Sequence, residues 1–154
     1  MTQENYYQEL VQKADSMAEK AHEGQYDKAG LPYITHPRKV ASFVTDPREK
    51  IVALLHDTVE DTDMTIEEIQ SVFGEEIAQA VALMTHAEGV PYMDYVEKIK
   101  SNPLARHVKM ADLTHNMDLS RLPLVTDKAK ARLEKYKKAY AILKEADKNE
   151  PSHS

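Results

Sequence analysis

Apolar positions recur along this chain at helical intervals and almost nowhere alternate. Tyr7, Leu10, Ala14, Met17, Ala18 and Ala21 fall three and four residues apart and predict a first amphipathic helix. Gly24 to His36 is polar, with Gly30 and Pro32 as turn signals, and reads as a loop. His36-Pro37 opens the next helix, since proline suits the first helical position. Asp46-Pro47-Arg48-Glu49 is a stronger start: an acidic cap, a proline, and a glutamate placed for a capping box. The apolar run Ile51 to Leu55 follows and leads into His56. Thr65-Ile66-Glu67-Glu68 repeats the capping logic for a short helix ending near Phe73-Gly74. Ile77, Val81 and Met84 mark another helix, and Tyr92, Tyr95, Val96 and Ile99 the next. Asn102-Pro103 starts one that runs towards Leu119, and Thr126 caps the last, with Ala129, Leu133, Tyr136, Tyr140 and Leu143 on one face. The expectation is an all-α bundle of about eight helices: one domain over residues 1–146 and a frayed polar tail over 147–154.

Composition narrows the function. The 154 residues suit one core, and the formal charge of −6 disfavours nucleic acid and anionic membranes as partners. With no cysteine, disulfides, thiolate zinc sites and cysteine nucleophiles are excluded. No stretch approaches a membrane span, and the first residues have neither a basic start nor an apolar core like a signal peptide, so a cytoplasmic protein is expected. The tyrosines at helical spacing belong to the core or to a subunit interface, which leaves a homo-oligomer open.

The chemistry concentrates at His56-Asp57 and Glu60-Asp61. The helix that starts at Asp46-Pro47 carries them, and three- and four-residue spacing gathers one imidazole and three carboxylates at its end. Crowded carboxylates resist ionising together, and a bound cation relieves the repulsion. His36, at the exit of the loop, and Asp112, after Val108, Met110 and Ala111, complete a shell of two imidazoles and two carboxylates. Such a sulfur-free nitrogen and oxygen set suits manganese, iron or magnesium, with zinc also compatible. Four protein ligands leave coordination positions for water and substrate.

The order His … His-Asp … Asp resembles the HD-domain metal-dependent phosphohydrolases. The segments His22-Glu23-Gly24-Gln25, Gly30-Leu31-Pro32-Tyr33-Ile34-Thr35-His36-Pro37, Ala53 to Thr62, and Lys109-Met110-Ala111-Asp112 with His115-Asn116-Met117 narrow it to the hydrolase domain of the RelA/SpoT family. That resemblance runs from about His22 to Leu122. It implies a stand-alone hydrolase of the small alarmone hydrolase kind, lacking the family's synthetase and regulatory domains, that removes the 3′-pyrophosphate of ppGpp and pppGpp with manganese. Carried over, the metal ligands are His36, His56, Asp57 and Asp112. Glu60 and Asp61 position and activate the attacking water, with carboxyl groups held ionised by the cation. Lys28 and Asn116 match positions that hold the nucleotide.

Three departures bear on the substrate. Asp27 stands where the family usually has a base-stacking arginine, Leu113-Thr114 replaces Arg-Leu, and Asp118 replaces another arginine. Other residues carry weaker expectations. His115 could orient Asp112, Lys109 is the foremost phosphate contact among Arg38, Lys39, Arg106, Lys109 and Arg121, and His86 and His107 are packing or surface residues, while His153 lies in the tail. Two further readings stand beside the first: an HD-type phosphatase or phosphodiesterase for other nucleotides, and a metal-stabilised, non-catalytic nucleotide-binding module.

Overall fold

A computed structural model describes residues 2–149. Among them the chain forms α1 (Gln3–Ala21), α2 (Thr35–Ser42), α3 (Pro47–Leu55), α4 (Thr58–Asp61), α5 (Ile66–Phe73), α6 (Glu75–Met84), α7 (Tyr92–Ile99), α8 (Pro103–Asn116), a 3-10 turn at Leu119–Arg121, and α9 (Asp127–Lys148). No strand occurs among the described residues; one isolated bridge, Tyr26 to Pro32, pins the loop after α1. The all-α expectation is met.

The caps explain where helices begin. Asp46, Thr65, Asn102 and Thr126 each accept a backbone N–H from the first turn of their helix, as their residue types predict. Glu49 departs from the capping-box expectation and turns instead to His107. Gly74 has φ 96°, a conformation that a side chain would strain, and it separates α5 from α6 within one residue. α8 stops at Asn116 rather than continuing to Leu119.

α3 is the centre of the bundle. It packs against α1, α2, α6 and α8, and Ile51 through Leu55 are all buried, which is why this segment is apolar on every side. The helix does not continue through the His-Asp pair. It ends at Leu55, Asp57 relaxes to φ −102° and ψ −3°, and α4 starts afresh at Thr58. The Thr58 hydroxyl donates to the Leu55 carbonyl at 2.8 Å, satisfying an acceptor freed by the break. The extra short helix is the reason for nine α-helical segments among the described residues instead of about eight. At the other end, α9 extends through Lys148, beyond the expected start of the tail; residues 150–154 and His153 with them lie outside the described residues.

Candidate metal centre

Two helices and one helix break deliver the polar residues to a single point. His36 comes from the first turn of α2, His56 and Asp57 from the break after α3, and Asp112 from α8. His36, His56 and Asp112 are buried, and one ligand atom from each lies within 4.8 Å of the others. His36 Nε2 is 2.8 Å from Asp112 Oδ1, and His56 Nε2 is 3.3 Å from the same oxygen. Asp57 Oδ2 lies 3.0 Å from His56 Nε2 and 3.8 Å from His36 Nε2, so it borders the same space.

The donor set fits a cation. His56 Nδ1 donates to the Ala53 carbonyl at 2.5 Å, which leaves the Nε2 lone pair facing two carboxylate oxygens. Nε2 is buried and makes no hydrogen bond. An acceptor surrounded by acceptors requires a proton or a metal ion. Without a metal, burial opposes the charged imidazole, but Asp57 and Asp112 raise its pKa well above the usual histidine range. Burial pushes Asp57 up, and the His56 charge overrides it, bringing that carboxyl down to about 2. The geometry is compatible with a divalent metal ion.

Neighbours hold each ligand. Lys109 Nζ is 3.0 Å from Asp112 Oδ2 and lies over the rings of Tyr92 and Tyr95. Lys109 therefore neutralises a ligand instead of reaching towards a phosphate, which corrects its expected role. Asn116 donates to Asp112 Oδ1 at 3.1 Å. Tyr33 O–H donates to Asp57 Oδ2 at 2.5 Å, a contact that no residue spacing indicates. His115 contacts His36 rather than orienting Asp112: the Nδ1 atoms are 2.7 Å apart and the rings are stacked. Burial and the charges of Arg121 and His36 lower the His115 pKa to about 4, so it stays neutral and can accept from His36.

Glu60 and Asp61 follow on α4, both exposed. Glu60 Oε1 accepts the His86 amide at 2.6 Å, and His86 is fixed in turn by a 2.6 Å contact with the Val90 carbonyl and by stacking on Tyr95. Burial is the main influence raising both carboxyl pKa values, and the Asp57 charge adds to it. This differs from the low pKa expected beside a cation; a bound ion would act in the opposite sense.

A cleft of about 380 Å³ opens beside His36, lined by Lys28, Tyr33, Asn116, Arg121, Arg132 and Tyr136 among others. Slight burial and the charges of Arg132 and Lys128 lower the Lys28 pKa, so several cations converge at this mouth. The acidic departures prove structural. Asp27 Oδ1 accepts the amides of Ala29 and Leu31 at 2.9 and 3.0 Å, closing the turn that carries Lys28. Asp118 Oδ1 caps the 3-10 turn through the amide and hydroxyl of Ser120.

The HD domain, as a family, matches residues 14–127. The chain belongs to the HD-domain family. Among relatives of this HD domain, the zebrafish protein named guanosine-3′,5′-bis(diphosphate) 3′-pyrophosphohydrolase MESH1 is 38% identical over 125 residues, covering 73% of this chain and 69% of that protein. Its human counterpart is 37% identical over 126 residues, covering 73% and 70%. A probable GTP pyrophosphokinase from Mycobacterium leprae is 36% identical over 137 residues. The match covers 80% of this HD-domain chain and only 17% of that much longer protein. A solved structure, described as a metazoan ortholog of SpoT that hydrolyzes ppGpp and plays a role in starvation responses, superposes with a TM-score of 0.70 at 24% identity, over 87% of this chain and 85% of the other. At that identity it speaks for the shared fold. No helix among the described residues is long and apolar enough to cross a membrane.

Proposed function

We propose that this HD-domain protein is a metal-dependent hydrolase that removes the 3′-pyrophosphate of guanosine-3′,5′-bis(diphosphate). The observation that carries the reading is the buried His36, His56 and Asp112 cluster bordered by Asp57, beside a cleft that holds Lys28, Arg121 and Arg132 along with Asp27 and Asp118. Relatives of similar length bear that activity in their names, which supports the substrate class.

In this reading His36, His56, Asp57 and Asp112 hold one divalent ion, taken as manganese from the family resemblance, since the donor set alone also suits iron, magnesium or zinc. The ion supplies Lewis acidity and a more acidic bound water. Glu60 and Asp61 accept the proton of the attacking water. The water oxygen joins the phosphorus next to the 3′ oxygen, that P–O bond breaks, and a proton passes to the 3′ oxygen. GDP and pyrophosphate are the balanced products. Lys28 contacts substrate phosphate or base from its loop. Asn116 acts at the cleft wall while holding Asp112. The cytoplasm, where such nucleotides are made and consumed, is the matching compartment.

The test is incubation of manganese-loaded protein with ppGpp and a panel of other nucleotides, read by product chromatography. GDP and pyrophosphate are expected from ppGpp. Intact ppGpp at full metal occupancy would overturn the reading.

A further inference from the structure

The five arginines divide into two groups. Arg38 pairs with Asp15 and Glu19, Arg48 with Asp46 and Glu76, and Arg106 with Asp147. Among the described residues no carboxylate lies within ion-pair distance of Arg121 or Arg132, and both line the cleft beside His36. An unneutralised guanidinium in a cleft next to a metal cluster is a place for an anion.

Arg121 is the more informative of the two. It ends the 3-10 turn that Asp118 caps. Its Nη1 rests 3.1 Å from Nε2 and 3.3 Å from Nδ1 of His115, which stacks on His36, so the guanidinium lies against that ring. Its Nε is buried without an acceptor, and no partner of Nη2 occurs among the described residues. Buried donors are seldom left unpaired, and one that is calls for an explanation. The Nε and Nη2 edge is the fork that grips a phosphate at two points, with a small side-chain shift to free the enclosed Nε.

Resting on the function proposed above, we infer that Arg121 is a substrate-binding residue that grips a phosphate group of the nucleotide. It supplies, from a different position in the chain, the positive charge absent at Asp118. That arrangement lets Asp118 cap the turn while the same turn presents a cation. The resemblance gives no reason to single out position 121; the assignment comes from this chain's own geometry.

The experiment compares wild type, Arg121→Lys and Arg121→Gln, all loaded with manganese. Kinetics on ppGpp, metal content and melting temperature are measured together. A charged hydrogen bond to phosphate implies roughly a ten-fold or greater rise in KM for Arg121→Gln, with kcat moving less. Arg121→Lys should recover part of the loss by restoring the charge without the fork. An unchanged KM in Arg121→Gln overturns the proposal. So does a fall in kcat and metal content at constant KM, which would mean that Arg121 acts only through His115 and His36. If wild type leaves ppGpp intact, the functional reading fails separately. The proposal is then decided by calorimetric binding of inorganic pyrophosphate to the loaded proteins. Weaker binding by Arg121→Gln supports it, and equal binding overturns it.

Discussion

At the scale of single residues, the proposed function assigns one set of groups to hold a cation and another to move a proton. His56 is committed by its own backbone: with Nδ1 bonded to Ala53, only Nε2 can face the cluster. Glu60 is committed by the His86 amide, which takes one oxygen and leaves the other. Replacing Glu60 or Asp61 by its amide keeps shape and removes a proton acceptor. Glu60→Gln and Asp61→Asn should therefore retain full metal content and lose about 10²–10⁴-fold in turnover. Metal analysis alongside single-turnover kinetics checks this; near-normal turnover in both variants would remove the pair from the chemistry. Most of these residue types were legible in the sequence, because histidine and aspartate in fixed order are distinctive. Their neighbours were not. Tyr33, His115 and Lys109 each choose a partner that only the packing of separate helices brings near. Asp27 looked like the loss of a cation, yet its carboxylate closes a turn, so Asp27→Arg would cost that turn before it could help a substrate.

At the scale of elements, the helix starts were readable because Asp46, Thr65, Asn102 and Thr126 act within a few residues of their own position. The break at His56-Asp57 was not, since apolar periodicity runs straight up to it and nothing in the residue pattern marks the carbonyl that the Thr58 hydroxyl takes up. A clamp between elements was also hidden. His107 on α8 places Nδ1 2.6 Å from Glu49 on α3 and Nε2 2.7 Å from Asp147 on α9. The Glu49 bond is the largest influence, with burial opposing it and Asp147 adding to it, and the imidazole pKa rises from 6.5 to about 9. A raised folded-state value favours the folded form while the group is charged. The contribution is complete below about pH 6.5 and is lost as pH rises through about 9. Discounted for partial exposure, it amounts to on the order of 1 kcal/mol. His107→Gln should lower the melting temperature at pH 6 and leave it nearly unchanged at pH 10. An equal loss at both would show that packing, not charge, is the cause.

For the whole molecule, the ligands tie α2, the α3–α4 break and α8 to one point, so an ion bound there is also a tertiary cross-link. A ligand that binds only the folded state at about 100 times its Kd adds roughly 2.7 kcal/mol. For a domain of this size that corresponds to roughly 5–10 °C in melting temperature. Chelation should reverse the gain, and His56→Ala and Asp112→Ala should melt at the same temperature with or without manganese. A manganese-dependent shift of full size in both variants would place the ion elsewhere.

Lys109 gives this arrangement a charge balance of its own. Asp57 and Asp112 carry two negative charges into the centre, and the buried ammonium of Lys109 removes one by sitting on Asp112. A divalent ion then leaves an excess of one positive charge; without the lysine the sum would be zero. Around that surplus stand the carboxylates of Glu60, Asp61, Asp27 and Asp118, against the cations Lys28, Arg121 and Arg132, so the one charge of Lys109 weighs in the local balance. Under the proposed function, the same lysine would weaken the attraction for the metal and strengthen it for a polyanion, setting affinity for the ion against affinity for the nucleotide at one side chain.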